Sequence, residues 1–136
     1  MLPHNLTREV RPMDYSVNVK DNDVVMMLMD GARALADKES ESFREARNDE
    51  ESSEELLNWH EHRYLKAKAM LASLRYTFAR NRAVDAKTYT PDTPVGRADL
   101  AVYAAERDKA KAEYTLAVLV AGEATNAWRE SYRKNK

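Results

Sequence analysis

Residues 93–128 read TPVGRADLAVYAAERDKAKAEYTLAVLVAGEATNAW, and this stretch decides the fold. Thr93 followed by Pro94 suits a helix N-cap and first helical position, because proline lacks an N–H that the first turn leaves unsatisfied anyway. Leu100, Tyr103, Arg107, Ala110, Tyr114, Ala117, Ala121, Ala124 and Trp128 then recur at alternating intervals of three and four, which keeps one line of side chains on one helix face. The spacing predicts a helix to about Tyr132, roughly 40 residues or about 60 Å at 1.5 Å per residue. A helix of that length outgrows a compact globule and needs a partner.

The partner lies upstream. Pro91 and Pro94 force a turn within residues 85–96. Before it, Leu57, His60, Tyr64, Ala67, Leu71, Leu74, Phe78 and Asn81 keep the same spacing, predicting a second helix from about Ser53 to Val84. Ser52 with Glu55 three residues later forms a capping box for its start. If the two helices fold back about the proline loop, Tyr64 faces Ala117, Ala67 faces Tyr114, Leu71 faces Ala110 and Phe78 faces Tyr103. Large mostly meets small, as close packing requires. Asn81 and Arg107 in this seam read as devices against wrong registers.

A first, weaker helix is expected from the Asp21-Asn22-Asp23 cap to near Asn48, with Val25, Leu28, Ala32, Leu35 and Phe43 as its apolar line. Residues 1–20 carry Pro3 and Pro12 and no helical period, while Tyr15, Val17 and Val19 alternate with polar residues. They read as an extended arm. The expected fold class is therefore all-α: a long antiparallel, coiled-coil-like hairpin with an additional N-terminal helix, residues 21–136 forming one domain behind the arm.

Composition narrows the function. The chain of 136 residues has no Cys, so neither disulfides nor thiolate chemistry are open to it, and a reducing cytoplasm is the expected home. The longest apolar runs, Val24 to Met29 and Leu116 to Ala121, are six residues each, too short for a membrane span. No phosphate-cradling glycine loop or nucleophile motif occurs. His60 and His62 sit two residues apart, which puts their rings on nearly opposite sides of a helix and argues against a metal pair. No catalytic residue, metal or cofactor is implied, and a non-catalytic protein is expected.

Charge is segregated despite a net value of -1: residues 63–87 hold seven basic residues and one acidic, whereas residues 39–61 hold nine acidic and two basic. In the expected hairpin, Lys68, Arg75 and Arg82 with Lys111 form one edge, and Asp99, Glu106 and Glu113 with Arg63 form the other. Such edges are either solvated or covered by the first helix, or they join copies side by side, or the basic row with Tyr64, Lys66 and Tyr76 binds a nucleic-acid backbone. Leu116, Leu119 and Val120 make the middle of the third helix apolar on further sides, so that either the first helix covers them or they form an oligomer interface with another subunit.

Tyr64-Leu65-Lys66-Ala67-Lys68 opening a basic helix, an interrupted loop and a long closing helix with Trp128 resemble the layout of UvsY-type phage recombination mediators over residues 55–134. The resemblance implies a homo-oligomer in the host cytoplasm that binds single-stranded DNA and loads a recombinase in exchange for a single-strand-binding protein. Its DNA contacts would then be Lys66, Lys68, Arg75, Arg80 and Arg82. The acidic stretch before the second helix departs from that layout. The alternative from another class is a protein-binding module, a virion component or an inhibitor of a host protein, without nucleic-acid affinity.

Overall fold

A computed structural model describes residues 14–135. Three helices account for most of them: α1 (Asn22–Asn48), α2 (Glu54–Tyr89) and α3 (Pro94–Lys134), with no strand among the described residues. Residues 1–13 of the expected arm lie outside this range.

Each helix starts on a side-chain cap. The Asp21 carboxylate accepts from the Asp23 N–H at 2.9 Å, Ser53 Oγ from the Leu56 N–H at 3.1 Å, and Thr93 Oγ1 from the Gly96 N–H at 3.0 Å with Pro94 opening the first turn. The cap of α2 is thus Ser53 and not Ser52, whose buried hydroxyl makes no hydrogen bond. α2 also continues past Val84 to Tyr89, because residues 85–89 contain nothing that stops a helix. The turn is confined to Thr90–Thr93, and it folds back so tightly that a Cβ at Gly96 would stand 2.0 Å from the Pro91 carbonyl oxygen. Only glycine fits there.

α2 is the centre: α1 and α3 both pack on it and not on each other. Its contacts with α3 run in opposite chain order, Asn58 meeting Ser131, His62 meeting Thr125, Tyr76 meeting Tyr114 and Arg82 meeting Glu106. Those with α1 do the same, through Tyr64 with Phe43, Arg63 with Glu39 and Asn81 with Asn22. The packing corrects the expected register. Tyr64, Ala67 and Asn81, placed by the sequence against the third helix, belong to the α1 side. The side of α2 that meets α3 is Asn58, His62, Leu65, Ala69 and Tyr76, and Ala69 packs with Ala121 beside Leu65, Tyr114 and Ala117. Both lines keep the three-four spacing, so α2 carries two seams in different phase. On α3 the expected inner line holds: Leu100, Tyr103, Arg107, Ala110, Tyr114, Ala117, Ala121, Ala124 and Trp128 are all buried or half-buried.

Residues 14–21 lie along a third side of α2. Tyr15, Val17 and Val19 turn inward while Asp14, Ser16, Asn18 and Lys20 stay exposed, and Tyr15 is buried with Ala69 and Ala121. Ser73 Oγ donates to the Tyr15 carbonyl, Thr77 Oγ1 to that of Val17 at 3.1 Å and Asn81 Nδ2 to that of Val19 at 2.8 Å. The match is geometric: two residues of extended chain advance about 6.6 Å and four residues of helix about 6.0 Å, so donors four apart meet alternate carbonyls. Asn81 therefore clasps the chain before α1 rather than setting a register with α3.

Candidate interaction surfaces

Successive helical residues are 100° apart, which places Lys68, Arg75 and Arg82 on one side of α2 and Lys66 and Arg80 on nearly the opposite one. Arg80 is turned toward the clasped segment, its Nη2 3.5 Å from the Val17 carbonyl oxygen. Lys66 lines a groove on the α1 side with Tyr15, Leu35, Glu39 and His62. Lys68 and Arg75 border another groove with Leu71, Glu113, Leu116 and Val120, while Arg82 reaches Glu106 at 3.8 Å and lies over the rings of Tyr103 and Phe78. The five basic residues are therefore split between two faces. The expected separation into a basic and an acidic edge is also corrected: with the other seam of α2 facing α3, its basic row comes to lie against the acids of α3. Arg63 does not answer those acids either, since it holds the buried Glu39 carboxylate of α1 through two hydrogen bonds, at 3.0 and 3.2 Å.

Aromatic faces carry several of these cations. Arg47 lies over Phe43 at 4.6 Å, Phe43 packs on Tyr64 at 6.2 Å, and Lys68 lies over Tyr64 at 5.3 Å. The contact sequence is Arg47, Phe43, Tyr64, Lys68, and it continues in kind at Phe78, Arg82 and Tyr103. Each such contact contributes about 0.5–1 kcal/mol at an exposed site and holds a long side chain in place.

An aromatic cluster that the seam pattern did not single out closes the other end of α2. Trp59 meets Trp128 at 4.9 Å, His62 stacks on Trp128 at 5.1 Å, and Tyr132 closes the row. Thr125 donates to the Ala121 carbonyl, so its oxygen accepts from His62 Nδ1–H at 2.9 Å, which fixes the tautomer. Burial, with Lys66, Arg129 and Arg63 nearby, pushes the His62 pKa down to about 4, so the ring is neutral at pH 7. The signal that could have found it is Trp59 three residues before His62, matched by Thr125 three residues before Trp128.

The apolar residues nominated on α3 also divide. Val120 borders the groove beside α2, Leu119 lines a separate outer groove with Asp108, Ala112 and Thr115, and Leu116 reaches both. Leu116 and Leu119 extend a longer pattern. Val95, Ala98, Val102, Ala105, Lys109, Ala112, Leu116 and Leu119 alternate intervals of three and four, and every one is exposed; Val95, Val102, Leu116 and Leu119 are 72%, 56%, 62% and 53% exposed. α3 thus bears a second seam on the side away from α2. Gly122, on the same helix, has nothing within 4 Å of where a Cβ would be.

No family model matches the chain, and neither any curated protein nor any solved structure matches it. Among the described residues no helix is long and apolar enough to cross a membrane.

Proposed function

We propose that this protein acts without catalysis, by assembling through helix faces that its own fold leaves uncovered. The observation that carries this reading is the outer seam of α3. Eight positions from Val95 to Leu119 keep the spacing of a helix-packing line and are all exposed, Leu116 also bordering the groove beside α2. Burying one leucine of this kind contributes about 1.5–3 kcal/mol, so a partner helix laid along the seam gains several such terms. Light scattering on the full chain across micromolar to millimolar concentration tests it. An oligomer is expected, and a monomer throughout would reject the reading.

A second reading is favoured by Lys68, Arg75 and Arg82, which share one side of α2, two of them held on aromatic rings. In it the assembled protein binds single-stranded DNA there as a recombination mediator, in partnership with a recombinase or a single-strand-binding protein. Lys66 and Arg80, on the opposite side beside α1 and the clasped segment, lie outside such a site. Because phosphate contacts release counterions, affinity should fall steeply with salt, and Arg75→Glu with Arg82→Glu should weaken it at least about tenfold at low salt. Absence of oligonucleotide binding at micromolar protein and low salt would leave the protein-binding reading in its place.

A further inference from the structure

We infer that the outer seam of α3 pairs with the same seam of a second copy of this chain, antiparallel, about a two-fold axis passing near residue 107. The inference rests on the assembly reading above and adds its partner, direction and register.

The pattern is self-complementary when reversed. With the axis midway between Val95 and Leu119, Val95 faces Leu119 of the second copy, Ala98 faces Leu116, Val102 faces Ala112 and Ala105 faces Lys109. The axis repeats each pair, so all eight positions are used in both copies. Three of the four pairings set a large side chain against alanine, which close packing favours. A parallel pairing has the opposite property. Ala98, Ala105 and Ala112 would each face themselves and leave gaps, Leu116 would face Leu116, and Lys109 would face Lys109. Isologous contacts of the antiparallel kind also close on themselves, whereas a head-to-tail contact would propagate.

Charge agrees with the same arrangement. Asp99, Glu106 and Glu113 flank the seam on one side, and antiparallel pairing brings like flanks together. That is the side on which α2 presents Lys68, Arg75 and Arg82, as the Arg82 contact with Glu106 and the groove shared by Lys68, Arg75 and Glu113 establish. Each copy therefore brings three acids and three bases to the shared flank, which is neutral overall. The other flank, Ala101, Asp108 and Thr115, carries one acid per copy, and Asp108 is held by Arg107 at 3.0 Å. Lys109 lies close to the axis, opposite an alanine and beside Glu106 and Asp108 of the second copy. A lone lysine in an apolar line disfavours pairing in any register that buries it without acids, so it specifies direction at some cost in stability.

The chain has no cysteine, so single replacements read out direction cleanly. Val102→Cys and Ala112→Cys proteins are prepared separately and oxidised alone and mixed. Disulfide-linked dimer is expected in the mixture at several times the yield of either protein alone; each variant linking with itself, and no gain on mixing, would overturn the antiparallel pairing. Leu116→Glu with Leu119→Glu should raise the dissociation constant at least about 100-fold in sedimentation, with circular dichroism unchanged because neither residue belongs to the inner seam. A variant that stays as tightly associated as the parent overturns this interface while the assembly reading stands. A parent chain that is monomeric at millimolar concentration overturns both.

Discussion

The two faces of α3 have the same periodicity and opposite fates. The inner line, from Leu100 to Trp128, is buried or half-buried against α2 and the clasped segment, with Ala121 at 1% exposure. The outer line, from Val95 to Leu119, has equal regularity and is exposed among the described residues. What separates them is what stands opposite. The inner face meets small and aromatic side chains of α2, namely Ala69, Tyr76 and His62, while the outer line stays exposed and α1, the other described helix, packs on α2 and not on α3. A three-four spacing therefore declares that a helix face is built for packing and leaves open whether the partner is in the same molecule.

Substitutions break this contrast in graded steps. The largest effect is expected from Ala121→Glu, which puts an unpaired charge where no water reaches; a loss of about 4 kcal/mol or more, read by urea denaturation, should leave little folded protein. Gly96→Ala comes next. The added methyl meets the Pro91 carbonyl and must push the turn open, so a loss of about 2 kcal/mol is expected despite alanine's better helix propensity.

Smaller again is a pH effect from the inner face. The His62 pKa is lowered in the fold, to about 4, from an ordinary value near 6.5. Between those values the unfolded chain binds more protons than the folded one, so the contribution of the neutral ring is complete above about pH 6.5 and is lost as pH falls toward 4. Allowing for solvent near the ring, the loss is on the order of 1–2 kcal/mol. Thermal melts from pH 7 to 4 should fall less steeply in His62→Gln, and parallel slopes would refute the assignment. Least of all, Leu119→Glu should change the stability of the unassociated chain by no more than about 0.5 kcal/mol. A cost near that of Ala121→Glu would mean that the outer line packs within the molecule after all.

The helices themselves were legible: Thr93-Pro94, the Asp21 cap and the long inner line of α3 place their boundaries within a few residues. Their pairing was harder to read. α2 carries two seams, because it is covered by α1 on one side and α3 on another, and periodicity alone does not say which seam belongs to which neighbour. Choosing the line through Tyr64 and Ala67 for α3 also set the charged flanks wrongly, as Arg82 with Glu106 demonstrates. The basic row was visible in the spacing of Lys68, Arg75 and Arg82, but its acidic neighbours were not, since they depend on that pairing. The clasp was not legible, because Asn81 reads equally well as a polar residue in the seam toward α3, and Ser73 and Thr77, small and polar, carry no apolar signal that marks a buried face.

Those three residues touch only carbonyl oxygens of the segment they hold, at Tyr15, Val17 and Val19. The clasp thus measures the stride of the backbone and is indifferent to the side chains that point away. The side chains of Ser16 and Asn18, both exposed, are free to drift over evolution. The helix, by contrast, is held to a small donor at every fourth place. In this part of the molecule, selection should be written on α2 and on the inward Tyr15, Val17 and Val19, and be nearly silent on the exposed residues between them.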